Sequence, residues 1–558
     1  MKAFLSLIKK HWAPILLVFF ICLMFYPYAY LSFQTEHKFY SPDETANFIF
    51  TKQFIENGKI YLEENLNPEV NNIILPRSIN ILENKLVPQS FLGLNLIYGA
   101  IGKITGANFI IFLTPIVSLI SVLLFYFLIK HVFNRQIAFW SALLLLIHPV
   151  FWYSAGKTML HNNLFIFLII LGFLILFKAL NSKKHATPLF VFSAIVLGLS
   201  IWVRSSELIW IGIFLLVFYL FNRKKINLKQ TSSFIIFFAI MIGILLAINY
   251  SVYNNIFSSG YSSFEQIGIE KNLLQKTGDF FAKLFLPFGF NFKYILIHLF
   301  EFFVKYIWFL FIPSFLSLIF VLKNKNITGV QKSYTIATGL ISVFLIIFYG
   351  SYWLWGLSGQ PEQPLIAIGS PHLRYWLPML VLTLPFIVIF FTNILPGVFN
   401  FKSNRIKNLL LGLFTIFILI FSINQVFYSQ DEGFLKIKQD LLEFKPRLEQ
   451  VQSLIPSDSV LIVPNWADRI FFPEFAVIHS IEDSNVHSGD IFAKIKDLTA
   501  LRPVYYYSAS STKDIEDLNE NKFKKHDLNL ELVQSIYKGE SLYILNKTTE
   551  VKKQENKN

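Results

Sequence analysis

Residues 109–135 read FIIFLTPIVSLISVLLFYFLIKHVFNR. No charge interrupts Phe109 to Ile129, and Lys130 and Arg135 then close the run. An α-helix needs about 20 consecutive apolar residues to cross the hydrocarbon core of a bilayer. This stretch supplies them and stops at cations, the pattern of a span that ends in a cytoplasmic loop.

The pattern recurs in both directions. Trp12–Leu31 follows Lys2, Lys9 and Lys10 and reads as a retained first span with its basic end in the cytoplasm. Further runs cover Ile137–Tyr153, Leu160–Phe177, Leu189–Val203, Leu208–Phe221, Phe234–Tyr250, Leu296–Leu322, Tyr334–Tyr352, Tyr375–Phe391 and Leu409–Phe427. Every second junction is basic: Lys178, Lys183 and Lys184; Arg223, Lys224 and Lys225; Lys323 and Lys325; Lys402, Arg405 and Lys407. The expectation is an α-helical polytopic membrane protein of about eleven spans, N-terminus in and C-terminus out.

Composition agrees. Of 558 residues, 54% are hydrophobic and 15% charged, where a soluble chain carries about 25% charge. A net charge of +14 in one soluble domain would point to nucleic acid. Here the cations are dispersed among loops, and no nucleic-acid partner is expected. The single cysteine, Cys22, lies in the first apolar run, which excludes a disulfide framework and a thiolate metal site.

Two long polar segments interrupt the spans, residues 34–90 and 251–291, both expected outside the cytoplasm. Phe91–Ile104 is apolar but too short to span and reads as an interfacial or re-entrant piece. The first loop contains Phe39-Tyr-Ser-Pro-Asp-Glu-Thr-Ala-Asn-Phe48. Pro42 and the acids Asp43 and Glu44, followed by apolar residues at helical spacing, mark a helix start. The acids can simply suit the helix dipole, or one of them can be a base at the membrane surface.

From Ser429 the chain changes character. Phe434–Leu454 is amphipathic, and Val460–Val463, Ala476–Ile478, Pro503–Tyr507, Leu530–Ile536 and Ser541–Leu545 read as short strands between polar helices. The expected organisation is a transmembrane domain at 1–428, a small extracytoplasmic α/β domain at 429–546 and a charged disordered tail at 547–558.

Charges at the ends of apolar spans are expensive unless paired or wetted. On the outer side they form a set: Asp43 and Glu44; Lys157 and His161; Arg204 and Glu207; His372 and Arg374. Each has a structural alternative. Arg204 and Glu207 can pair at i, i+3, His161 can be a hydrogen-bonded helix-end residue, and Arg374-Tyr375-Trp376 can be an interfacial anchor, as can Tyr352-Trp353-Leu354-Trp355. Together they supply what transfer from a lipid phosphate requires, cations for the leaving group and a carboxylate within reach of an acceptor hydroxyl.

The loop opening with Pro42-Asp43-Glu44 after the first span, Trp202-Val-Arg-Ser-Ser-Glu207, and Arg374-Tyr-Trp-Leu-Pro378 after a late outer loop resemble the GT-C superfamily of membrane glycosyltransferases. The likeness is greatest to the protein O-mannosyltransferase and aminoarabinose-transferase families and covers residues 10–430. It implies a polyprenyl-phosphate sugar donor and a lipid, glycan or protein acceptor at the bilayer. It gives Asp43 the catalytic role with Glu44 beside it, and donor-phosphate binding to Arg204, Arg374 and Lys85, with His161, His372 and Lys157 as accessory residues. Relatives carry a second acid where this chain has Met159-Leu-His-Asn-Asn163. Either His161 substitutes or the chemistry uses one carboxylate, with Glu362 a further acid on offer, and use of a divalent metal, Mg or Mn, is left open. The expected setting is a prokaryotic plasma membrane with the active site outside. The rival readings are a transporter or lipid-glycan flippase, and a scaffold whose outer domain does the work.

Overall fold

The computed structural model describes residues 2–182, 184–258, 260–261, 288–353, 356–357, 360–364, 366–400, 403–479, 481 and 490–548. Most of the second long segment, Leu354–Trp355, the side chain of Glu362 and the tail from residue 549 onward lie outside the described residues. The chain divides into two compact units, one of residues 1–33, 91–251 and 262–437, the other of residues 34–90, 252–261 and 438–558.

The first unit is helical. It holds α1 (Lys2–Tyr28), α3 (Gly93–Thr105), α4 (Leu113–Val132), α5 (Arg135–Leu146), α6 (Pro149–Gly156), α7 (His161–Ala179), α8 (Ala186–Val203), α9 (Leu208–Asn222) and α10 (Leu228–Tyr253). After these come α11 (Trp308–Lys323), α12 (Gly329–Gly350), α13 (Leu377–Ile389) and α14 (Asn404–Tyr428). Among the described residues, eight helices are long and apolar enough to cross a membrane, ten if each of two bent pairs is one span. Trp12–Tyr28 is apolar but shorter, and only by counting it too is the expected eleven reached. The chain is an integral membrane protein, as its hydropathy requires.

Two spans differ from expectation: Ile137–Tyr153 bends by 49° between α5 and α6, and Leu296–Leu322 bends more sharply. In the latter, Phe292–Tyr306 and α11 meet at an angle of 104°. The turns before the bend, Leu299–Tyr306, are π-helical, a widening that displaces the following helix. Apolar periodicity reports what is buried and is blind to direction, so the bend was invisible in sequence.

The short apolar piece after the first loop is α3, thirteen residues long, as its length predicted. Its first residue, Gly93, packs on the C-terminal end of α8 so closely that a Cβ there would overlap the backbone of Trp202 and Val203. Backbone cannot yield as a flexible side chain does.

The second unit combines the first loop with the C-terminal region, a grouping that linear boundaries at 428 and 429 do not show. The loop contributes α2 (Pro42–Asn57) and a three-stranded sheet of β1 (Leu62–Glu63), β2 (Ile79–Leu82) and β3 (Lys85–Pro88), in the order β1-β3-β2. The C-terminal region follows α15 (Phe434–Leu454), which runs across the division. Its strands β4 (Val460–Val463), β5 (Ala476–His479), β6 (Val504–Ser508), β7 (Leu528–Ser535) and β8 (Ser541–Lys547) fall where alternation placed them. They form a five-stranded sheet, β5-β4-β6-β8-β7, with β4 parallel to β5 and β6. Val70, Ile73 and Ile74 of the loop are buried in the same core as Val460, Ile462, Ile478 and Val504, and Leu75 bridges Ile478.

Gly93→Ala is expected to destabilise the helical unit by about 1–3 kcal/mol, the usual penalty of overpacking. A thermal melt of the detergent-solubilised protein, followed by monodisperse fraction on size exclusion, measures it; an unchanged midpoint contradicts the close approach.

Candidate functional site

In the second unit the candidate acids lie on α2. Ser41 has extended backbone and makes no side-chain cap, Pro42 opens the helix, and Gly58 closes it with φ of 70°. Both acids lie in the first turn, but they differ. Glu44 is buried, whereas Asp43 is partly exposed and accepts a 2.6 Å hydrogen bond from the Ser78 hydroxyl at Oδ1. Ser78 has a left-handed φ of 60°, uncommon for a residue with a side chain. Its neighbour Arg77 explains how the turn is held. Arg77 donates to Asp468 from its backbone N–H at 2.9 Å, from Nε at 3.1 Å and from Nη2 at 2.6 Å. Asp468 thus fixes the turn that carries Ser78, and Ser78 orients Asp43. Lys85, at the start of β3, lies 4.9 Å from the centre of the Tyr61 ring.

In the first unit, Lys157, at the end of α6, donates to Glu432 Oε2 at 3.3 Å, and Tyr153 donates to the same oxygen at 2.9 Å. Glu432 occupies the space that a Cβ on Gly369 would need. The charge of Lys157 holds the Glu432 carboxyl below its ordinary value of 4.5, against the opposing effect of burial; hydrogen bonds from Tyr153 and Lys157 and the charge of Arg374 act in the same direction as Lys157. Arg374 lies in the turn Pro371–Tyr375, where its carbonyl accepts from Asn162 Nδ2 at 3.0 Å. Its Nε is buried and has no hydrogen-bond acceptor among the described residues. Lys157, Glu432 and Arg374 therefore form a cluster of two cations and one acid among the described residues. Glu432 escaped the sequence reading: it follows the last span, 275 residues from Lys157, and carries no local motif.

The remaining cations of this unit are differently placed. Arg204 Nε donates to Glu207 at 2.9 Å, and its Nη2 donates to the Tyr349 hydroxyl at 3.0 Å. Glu207 also accepts from Tyr349 at 2.6 Å and from the Trp210 indole, and the Tyr375 ring lies 5.4 Å from the Arg204 guanidinium. Of the two readings open for Arg204, the internal pair is the one present. Such a buried network locks α8 to α9 and α12. His161 Nε2 is 2.8 Å from the Phe91 carbonyl, the helix-end arrangement. His372 is buried, 3.0 Å from the Tyr352 carbonyl, with its ring 4.3 Å from that of His298. Tyr352-Trp353 was read as interfacial; Trp353 packs 5.4 Å from His298.

Helices α11, α12 and α13 enclose a cavity of about 640 Å³ lined by Leu310, Phe315, Leu318, Ile347 and Leu384, with His148 among its few polar residues. Phe315, Leu322, Leu340 and Val343 around it are exposed. Among the described residues no group of three or more His, Cys, Asp or Glu side chains is placed to hold a metal ion, so no residue here is assigned to one.

Residues 94–251 match the family model for dolichyl-phosphate-mannose-protein mannosyltransferase, a match that spans Lys157, His161 and Arg204. A comparison with curated protein sequences found no match. Among solved structures the chain is similar to ArnT from Cupriavidus metallidurans bound to undecaprenyl phosphate, with TM-score 0.54 and 9% identity over 95% of this chain and 97% of that one. It is also similar to the archaeal oligosaccharyltransferase AglB from Archaeoglobus fulgidus in complex with an inhibitory peptide and a dolichol-phosphate. There the TM-score is 0.56, with 12% identity over 89% of this chain and 70% of that one. The resemblance to GT-C glycosyltransferases holds in the fold: a helical membrane body with a small C-terminal domain containing strands.

The depressed Glu432 carboxyl has a consequence for stability. A carboxyl held below its unfolded value stabilises the fold above that value, and the contribution disappears as pH falls through the folded one. The difference in melting temperature between the protein and Glu432→Gln is therefore expected to be full above pH 4.5 and to close on further acidification. A difference independent of pH would show that the Lys157 pair does not set the carboxyl.

Proposed function

We propose that the protein is a membrane glycosyltransferase that moves a sugar from a polyprenyl-phosphate donor to an extracytoplasmic acceptor. Arg374 and Lys157 bind the donor phosphate. A phosphate oxygen satisfies the guanidinium nitrogen of Arg374 that has no acceptor, and charge-assisted bonds of this kind are the strong ones. As the bond from the sugar carbon to the phosphate oxygen breaks, negative charge grows on the leaving phosphate, and fixed cations stabilise it. Glu432 holds Lys157 in place beside Tyr153. The apolar cavity among α11, α12 and α13 suits an isoprenoid tail, since exposed apolar side chains surround it and it offers little that is polar.

Asp43 is the base. Its partly exposed carboxylate accepts the proton of an acceptor hydroxyl as that oxygen attacks the sugar carbon, and the Ser78 bond on Oδ1 leaves Oδ2 for the proton. Glu44, buried beside it, belongs to the packing of α2. Arg204 serves structure through Glu207, and Lys85 on β3 has no assigned part in the step. If Mg or Mn takes part, the residues named here act as described without it.

The observation that carries this reading is Arg374. A cation with an unfilled, buried donor, next to an ion pair at the end of a span, calls for an oxyanion at the membrane surface. A transporter places its charges near mid-span at broken helices, whereas Lys157, Arg374 and Glu432 stand outside the spans.

Asp43→Asn is expected to abolish transfer from a polyprenyl-phosphate sugar, by about 10²-fold or more, while the variant elutes and melts as the parent does. Activity within a few-fold of the parent would refute the role of Asp43. Arg374→Ala is expected chiefly to raise the KM for the donor, and unchanged donor kinetics would remove it from the phosphate site.

A further inference from the structure

In open α/β sheets ligands bind beyond the carboxyl ends of parallel strands, at the point where successive connections diverge to opposite sides. The second unit has such a point. From β4 the chain goes to β5 on one side, and β6 lies on the other. The segment leaving the carboxyl end of β4 is Pro464-Asn-Trp-Ala-Asp-Arg469. The first loop runs against this end of the sheet, through the Leu75–Ile478 bridge and the Arg77–Asp468 pair.

Arg469 stands out there. Asp468 is occupied by Arg77, and Arg469 gives it only its backbone N–H, at 2.8 Å. The Arg469 guanidinium instead lies over the Tyr40 ring, 4.5 Å from its centre, with the Phe444 ring at 5.4 Å. Its Nε is buried without an acceptor among the described residues. Burial and then the charge of Arg77 lower its pKa from the ordinary arginine value, and Tyr40, Asp468 and Asp440 offset part of this. A guanidinium held over an aromatic ring keeps its planar fork oriented, the arrangement that suits a carboxylate or phosphate.

Its place relative to Asp43 gives it a role. Tyr40, on which it stacks, precedes Asp43 by three residues. Asp468, its neighbour in sequence, holds Arg77, and Ser78 next to Arg77 bonds to Asp43. Two short paths thus join the stacked guanidinium to the carboxylate base.

We propose that Arg469, on its Tyr40 platform, is the acceptor-recognition site, and that the acceptor carries an oxyanion, a carboxylate or phosphate, near the hydroxyl that receives the sugar. The inference rests on the transferase reading above and names its acceptor class. Arg469 binds the oxyanion, which without a cation would be repelled by Asp43. The hydroxyl gives its proton to Asp43, its oxygen bonds to the sugar carbon, and polyprenyl phosphate departs with the electron pair of the broken carbon–oxygen bond. Arg469 touches only the acceptor, so it governs acceptor choice.

Octyl β-D-glucuronide and octyl β-D-glucoside differ only in a carboxylate and test this on the full-length protein in nanodiscs, below micelle-forming concentrations. The glucuronide is expected to bind about tenfold more tightly or better, as one charge-assisted contact provides. In Arg469→Gln the ratio of the two affinities should fall to about one. Arg469→Lys, which keeps the charge and loses the fork, should lie between. A merely structural defect weakens both ligands alike and leaves the ratio. Equal binding of the two by the parent, or a ratio that survives Arg469→Gln, overturns the proposal. If the Gln variant does not fold, an unchanged ratio in Arg469→Lys does the same. Because binding is read without turnover, failure of the transferase reading shows separately, as absence of polyprenyl phosphate release from any donor.

Discussion

One ion pair, Arg77 with Asp468, organises the second unit. Asp468 is 2% exposed, so its carboxylate has left water and needs compensation at both oxygens. Arg77 provides this with two side-chain nitrogens and a backbone N–H. The bond to the backbone matters most, because it fixes the main chain of the turn as well as a side chain. With that turn fixed, Ser78 holds a left-handed conformation and aims its hydroxyl at Asp43. Removing one partner of such a pair typically costs about 3–5 kcal/mol, since the other is left buried and uncompensated. The geometry around Asp43 thus depends on an acid nearly 400 residues later in the chain than Arg77.

This dependence shows what sequence could and could not disclose. The spans were legible because about 20 apolar residues closed by cations have one economical structure in a bilayer. The five C-terminal strands were legible because alternation and β-branched residues are local signals. The start of α2 at Pro42 was legible for the same reason. Asp468 and Glu432 were not. Each matters through a partner hundreds of residues away, and neither lies in a motif that announces it. The 104° bend before α11 was hidden because a bent and a straight span have the same hydropathy. The grouping of the first loop with the C-terminal sheet was hidden because Ile73 and Ile74 complete a core whose strands lie at the other end of the chain.

The structure also separates residues that the sequence had treated alike. Arg204 and Arg374 are both arginines at span ends beside aromatic residues. Arg204 has Glu207 and Tyr349, and Glu207 has Trp210 as well. That network is closed, and a closed buried network holds helices in register. Arg374 has a carbonyl bonded to Asn162 and a buried Nε with nothing among the described residues to accept its hydrogen. Lys157, meanwhile, is committed to Glu432.

The same distinction runs through the second unit, where Arg77 is paired in full and Arg469 is stacked on Tyr40 with a donor unfilled. A buried donor without an acceptor is unfavourable by about 1–3 kcal/mol, more when charged. The fold supplies acceptors for Arg204 and Arg77. Among the described residues three arginines have a buried side-chain nitrogen without one: Arg135 at the start of α5, Arg374 in Pro371–Tyr375 before α13 and Arg469 in Asp468–Phe471 after β4. At Arg374 and Arg469 the proposed oxyanion would supply the missing interaction.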